Sequence, residues 1–196
     1  MIGLFATGPS SIIFYIVYSL WWLSELIGAL LIPVLRRRGA TQVRRDQGSA
    51  TVIVSSIFIA IFIAFGFGYT GTGQLPDWVF YPGIFLMLLG IVIRQYAIAV
   101  LGRFFSLTVR VAEDHKVVDR GPYKLVRHPS YTGVLVTFLG LGLAVQSWAA
   151  ILTLLIVFTV AYGYRMRVEE KTLISQLGED YLNYMKRTKR LIPYLI

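Results

Sequence analysis

The sequence predicts an all-α integral membrane protein of five transmembrane helices with an amphipathic helix near its C-terminus. Three observations carry that prediction. Apolar stretches of membrane-crossing length recur in a 196-residue chain that is 56% hydrophobic. All 19 Lys and Arg fall on alternate connections or at the span ends beside them. A short turn at 146–148 joins the last two apolar stretches, which predicts an antiparallel helical hairpin.

The first apolar run covers 11–34 and holds Trp21, Trp22 and one acid, Glu25. No basic segment precedes it, so it is expected to stay as a span and not to be cleaved as a signal peptide. Arg36, Arg37, Arg38, Arg44 and Arg45 follow it. The second run, 49–69, leads into a Gly-rich loop at 70–77 without Lys or Arg. The third run, 78–101, contains Arg94. The polar stretch that follows predicts a short strand at 106–111 and turns at 113–115 and 120–122. The fourth and fifth runs are 131–145 and 149–164, and a charged tail follows, amphipathic over 176–190. The positive-inside rule puts the basic side in the cytoplasm, with the N-terminus outside and the C-terminus inside. The whole chain, 1–196, reads as one domain.

Composition excludes several chemistries. The chain has no cysteine and two histidines, His115 and His128, so neither disulfides nor a metal site is expected. A net charge of +9 would suggest nucleic acid in a soluble protein. Here the anionic leaflet accounts for it, and the expected partner is the lipid bilayer.

The densest chemistry is Arg127-His128-Pro129-Ser130-Tyr131-Thr132-Gly133. Pro129 suits the first position of a helix. The N–H groups of that turn can meet a carboxylate, and Gly133 leaves room for close approach. His128 and Tyr131 can hydrogen-bond or stack, though such residues also anchor ordinary helices at the headgroup level. Glu169 and Glu170 follow the fifth run, spaced for surface pairs with Arg165 and Arg167 or for work in a site. Arg94 lies about 10 Å inside its span. A cation there needs a partner or a function. Glu25, at similar depth, is one partner; an anionic substrate group is the other reading.

The "RHPSYTG" stretch at 127–133, the Glu pair and "LGEDYLNYMKRTKRLIP" at 177–193 together resemble the isoprenylcysteine carboxyl methyltransferase family. That family is part of a wider group with phospholipid N-methyltransferases, and the chain's size is similar to its compact prokaryotic members. The similarity spans 94–193. It implies a cytoplasm-facing membrane enzyme using S-adenosylmethionine, with S-adenosylhomocysteine as product. Carried over by motif, His128, Pro129, Tyr131, Gly133, Glu169 and Glu170 line the cofactor pocket, with Tyr123, Lys124, Leu125 and Val126 as the adjoining wall. Arg94, Arg165 and Glu170 are the expected catalytic set. Asn183 and Arg190 lie within reach by sequence. Leu177 stands where the family often has Phe. The expected acceptor is a lipophilic carboxylate, a prenylated peptide or small molecule. A phospholipid amine acceptor, an NADPH-binding enzyme similar to sterol reductases and a non-catalytic lipid-binding protein remain open.

Overall fold

The computed structural model describes residues 8–28, 42–44, 48–105, 110–112 and 116–193. Six α-helices follow one another among them: α1 (Pro9–Leu26), α2 (Ser49–Thr70), α3 (Phe80–Leu101), α4 (Pro129–Ala144), α5 (Trp148–Leu177) and α6 (Glu179–Arg187). Strands β1 (Gln42–Arg44) and β2 (Arg110–Ala112) form a small antiparallel ribbon pairing Val43 with Val111. The strand expected at 106–111 is thus found at its end, while 106–109 lie outside the described residues, as do the turn at 113–115, His115 and the last part of the first apolar run.

Among the described residues, three stretches are long and apolar enough to cross a membrane: 50–70, 77–101 and 148–177. α4 is a shorter apolar helix of 16 residues. Pro129 takes its first turn as the sequence predicts, with His128 as N-cap. The helix begun at Trp148 does not end where charges begin. It runs 30 residues to Leu177, because Arg, Met, Glu and Lys are good helix formers and nothing breaks the chain before Gly178. Gly178, at φ 54, ends it, so the separate amphipathic helix shrinks to the nine residues of α6.

The tightest packing is between α3 and α4. Gly83 and Gly90 on α3 face Gly140 and Gly133 on α4, in antiparallel register. A Cβ at Gly90 would sit 2.3 Å from Thr137 Oγ1 and 2.6 Å from the Gly133 carbonyl; one at Gly133 would sit 2.7 Å from the Arg94 backbone nitrogen. Apolar solvent drives no association of helices in lipid, so small residues that let backbones touch take over that role. Gly90→Leu is therefore expected to cost about 1–3 kcal/mol or more of stability. A thermal melt in detergent checks this, and an unchanged midpoint would contradict the seam.

The ends of the bundle differ. At one, the chain stitches itself shut. Leu75 N–H donates to the Gln146 carbonyl (2.8 Å), Trp148 N–H to the Gly73 carbonyl (2.9 Å) and Ser147 Oγ to the Thr72 carbonyl (2.6 Å). At the other end, the start of α2, the end of α3, the start of α4 and the last turns of α5 surround a cavity.

Candidate functional site

The site grows from the segment entering α4. A 3₁₀ turn, Gly121–Lys124, buries Tyr123, and the Tyr184 hydroxyl donates to its carbonyl at 2.7 Å. Residues 126–128 then run alongside 189–190 as a parallel bridge. Arg127 N–H donates to the Lys189 carbonyl (2.7 Å) and His128 N–H to that of Arg190 (3.0 Å). Thr132 Oγ1 donates to the Leu191 carbonyl at 2.7 Å. The segment after α6 is thus strapped across the motif.

Glu170 locks this strap. It is 4% exposed. Its carboxylate accepts from Arg127 Nε (3.0 Å) and Arg190 Nη2 (2.7 Å), and lies 3.2 Å from His128 Nε2. Arg127 also donates to the Met185 and Thr188 carbonyls. Three cationic or imidazole groups from two distant segments therefore share one buried anion.

Glu169, one position earlier on α5, points to the cavity. The Tyr131 hydroxyl donates to it at 2.7 Å, and Arg165 Nε donates to that hydroxyl at 3.3 Å. His128 stacks on Tyr131, with centroids 5.3 Å apart and planes 9° apart, and Tyr162 meets Tyr131 edge-on at 5.1 Å. Arg94 lines the same cavity at 7% exposure and holds Glu25 side-on through Nε and Nη2. Glu25 is thus the partner the sequence offered for Arg94.

The cavity encloses about 520 Å³, within the usual range for a small-molecule site. Its polar side holds Arg94, His128, Tyr131, Arg165 and Glu169. Its apolar side is Ile53 and Val54 of α2 with Phe104, Phe105, Val117, Val118 and Leu173. Burial, with a smaller contribution from Glu169, pushes the Tyr123 phenol well above its usual value, and burial does the same to Tyr181. Both are neutral hydroxyls at physiological pH.

Of the residues singled out by sequence, Arg94, Tyr123, His128, Tyr131, Arg165 and Glu169 come together around the cavity. Others sit elsewhere. Lys124 and Leu125 are exposed, and Val126 is buried against the strap. Pro129 is buried at the start of α4. Gly133 gives its close approach to α3, not to the cavity. Glu170 lies behind the wall in its knot, with Arg190. Asn183 accepts from Lys186 on the exposed face of α6. Sequence reasoning missed Ser130, Tyr162, Tyr181, Tyr184 and the whole α2 wall. Tyr162 had a signal, since Tyr162, Arg165 and Glu169 share one helix face at i, i+3, i+7. The α2 residues had none.

This chain resembles known proteins in sequence and in fold. The isoprenylcysteine carboxyl methyltransferase family matches residues 83–175. Protein-S-isoprenylcysteine O-methyltransferase B of Arabidopsis thaliana is 27% identical over 162 residues, 76% of this chain and 82% of that protein. The Schizosaccharomyces pombe protein-S-isoprenylcysteine O-methyltransferase is 29% identical over 177 residues, 89% of this chain and 67% of that protein. The solved eukaryotic intramembrane Ras methyltransferase shares the fold at a TM-score of 0.62 and 22% identity, covering 99% of this chain and 72% of that one. A helical membrane bundle with one closed end and a polar-apolar cavity at the other is the class these features define. Over residues 83–175, just under half of its length, the chain is similar to the isoprenylcysteine carboxyl methyltransferase family.

Proposed function

We infer that this chain transfers a methyl group from S-adenosylmethionine to the carboxylate of a lipophilic acceptor, a prenylcysteine-type C-terminus. The observation that carries the reading is the cavity, which sets buried cations, an acid and phenols against an apolar wall at one end of a membrane bundle.

The residues present fit the cofactor. Glu169 and the stacked His128–Tyr131 pair offer an anion and aromatic faces to a sulfonium and an ammonium. Tyr123 and Tyr181 supply neutral hydroxyls, and Leu173, Val117 and Val118 an apolar surface for a base. When bound, S-adenosylmethionine supplies a methyl group activated on sulfur. The rest belongs to the chain. Arg94 and Arg165 hold the acceptor carboxylate. No proton has to be removed, because such a carboxyl ionises at about 3.3–3.7. Alignment and exclusion of water then account for catalysis. The apolar start of α2 and Phe104–Phe105 receive the prenyl chain from the bilayer.

Five spans with the N-terminus outside and the cavity on the cytoplasmic side complete the reading, supported by the clustering of basic residues at the cavity end. An amine acceptor is disfavoured by one feature. The groups that would take its proton are engaged, His128 with Glu170 and Glu169 with the Tyr131 hydroxyl.

Two measurements test the proposal. In a radiolabelled methyl assay, farnesylcysteine is expected to be methylated and phosphatidylethanolamine not; the reverse result would overturn the acceptor class. In calorimetry, S-adenosylhomocysteine is expected to bind and NADPH not; tight NADPH binding alone would overturn the cofactor.

A further inference from the structure

Arg94 offers two hydrogen-bonding edges to a carboxylate. Glu25 takes the side-on edge, Nε and Nη2. The Nη1 end reaches only the Ser130 carbonyl among the described residues, at 3.4 Å, beside the cavity. Gln95, the next residue, donates from Nε2 to the Ser24 carbonyl at 3.1 Å, so the end of α1 is pinned to α3 at two adjacent points. The pair is largely withdrawn from solvent, with side chains 8% and 21% exposed.

We propose that Glu25 is a positioning residue that cancels the charge of Arg94 while aiming its free end at the acceptor carboxylate. The inference rests on the acceptor being a carboxylate. Its reason lies in the charge balance of the reaction. As the new O–C bond forms and the S–C bond breaks, the electron pair of that bond returns to sulfur. The carboxylate loses its negative charge and the sulfonium its positive charge. A full cation beside the carboxylate would then stabilise the reactants more than the transition state and slow the step. A guanidinium already neutralised by Glu25 keeps its geometry and two-pronged donation but loses most of that ground-state stabilisation. The side-on pairing also fixes the guanidinium plane, which a lone Arg in a membrane would lose by reaching for the interface.

Glu25→Gln keeps the shape and removes the charge. It is expected to lower KM for farnesylcysteine and kcat together, each by about tenfold, because a guanidinium without its paired anion holds a nearby carboxylate more strongly than one whose charge Glu25 offsets. Affinity for S-adenosylhomocysteine should stay unchanged. Glu25→Asp keeps the charge and should stay close to the parent in KM while losing part of kcat through poorer aim. A raised KM in Glu25→Gln would mean that Glu25 merely holds Arg94 in place, and unchanged kcat and KM would mean that the pair is remote from the acceptor. Either overturns the proposal. If Glu25→Gln does not fold, the Asp variant decides: a KM that falls as Gln was expected to lower it excludes the charge-cancelling role. A parent enzyme that binds S-adenosylhomocysteine but does not methylate farnesylcysteine would instead refute the acceptor class, a separate failure.

Discussion

Arg94→Lys is expected to lower methyl transfer by about 100-fold or more, since a small misplacement of a held reactant costs that much. Cofactor affinity should not change. The lysine keeps a positive charge for Glu25, so the intramembrane pair survives and the protein folds. It lacks the second edge of the guanidinium fork, so one ammonium must choose between Glu25 and the acceptor. Removing the side chain altogether is a poorer test. Arg94→Ala would leave Glu25 as an uncompensated charge at depth, which costs about 3–5 kcal/mol by itself. Rates on farnesylcysteine alongside calorimetry with S-adenosylhomocysteine check the prediction. Equal losses of rate and cofactor affinity would assign Arg94 to the cofactor.

Glu170→Gln has the second large effect, and of a different kind. Arg127, His128 and Arg190 would lose their shared anion, and the strap would lose its anchor. Breaking such a buried cluster costs about 3–5 kcal/mol. The lower end applies here, because the Arg190 side chain is 41% exposed and its share is screened. Arg190→Ala should accordingly cost much less, about 1 kcal/mol at most. The expected signature is a large drop in thermal midpoint together with weaker cofactor binding, relieved in part when the cofactor product is added in excess. Weaker binding with an unchanged midpoint would make Glu170 a direct ligand.

Much of the site could be read from sequence because its signals were local or energetic. Arg94 stood out by the cost of a charge in an apolar run, and the same argument nominated Glu25 69 positions away. Glu169 and Tyr131 were joined by topology: a tight hairpin returns the chain to the level it left. What stayed hidden depends on partners that only the fold supplies. Adjacent acids on one helix point about 100° apart, so Glu169 and Glu170 could not both face the cavity, yet nothing local says which turns away. Gly133 was legible as a point of close approach but not as to what approaches. The α2 wall mixes Thr51 and Ser55 with Ile53 and Val54 and holds no charge, so its cavity face carries no distinguishing pattern. The end of α5 was hidden by the habit of reading charge as exit from the membrane, whereas helix propensity continues through it.

The strap also sets a timetable. Arg127 and His128 meet carbonyl groups that follow them by about sixty residues, and the Arg127 side chain meets Thr188 across 61 positions. During synthesis the motif and both α4 and α5 precede those partners. Glu170 on α5 can meet Arg127 Nε early, but the Arg127 backbone N–H and Nη1 wait for the carbonyls of α6 and the residues behind it. A nascent chain can therefore complete its apolar helices before the strap docks, and the wall behind the cavity closes as a late step.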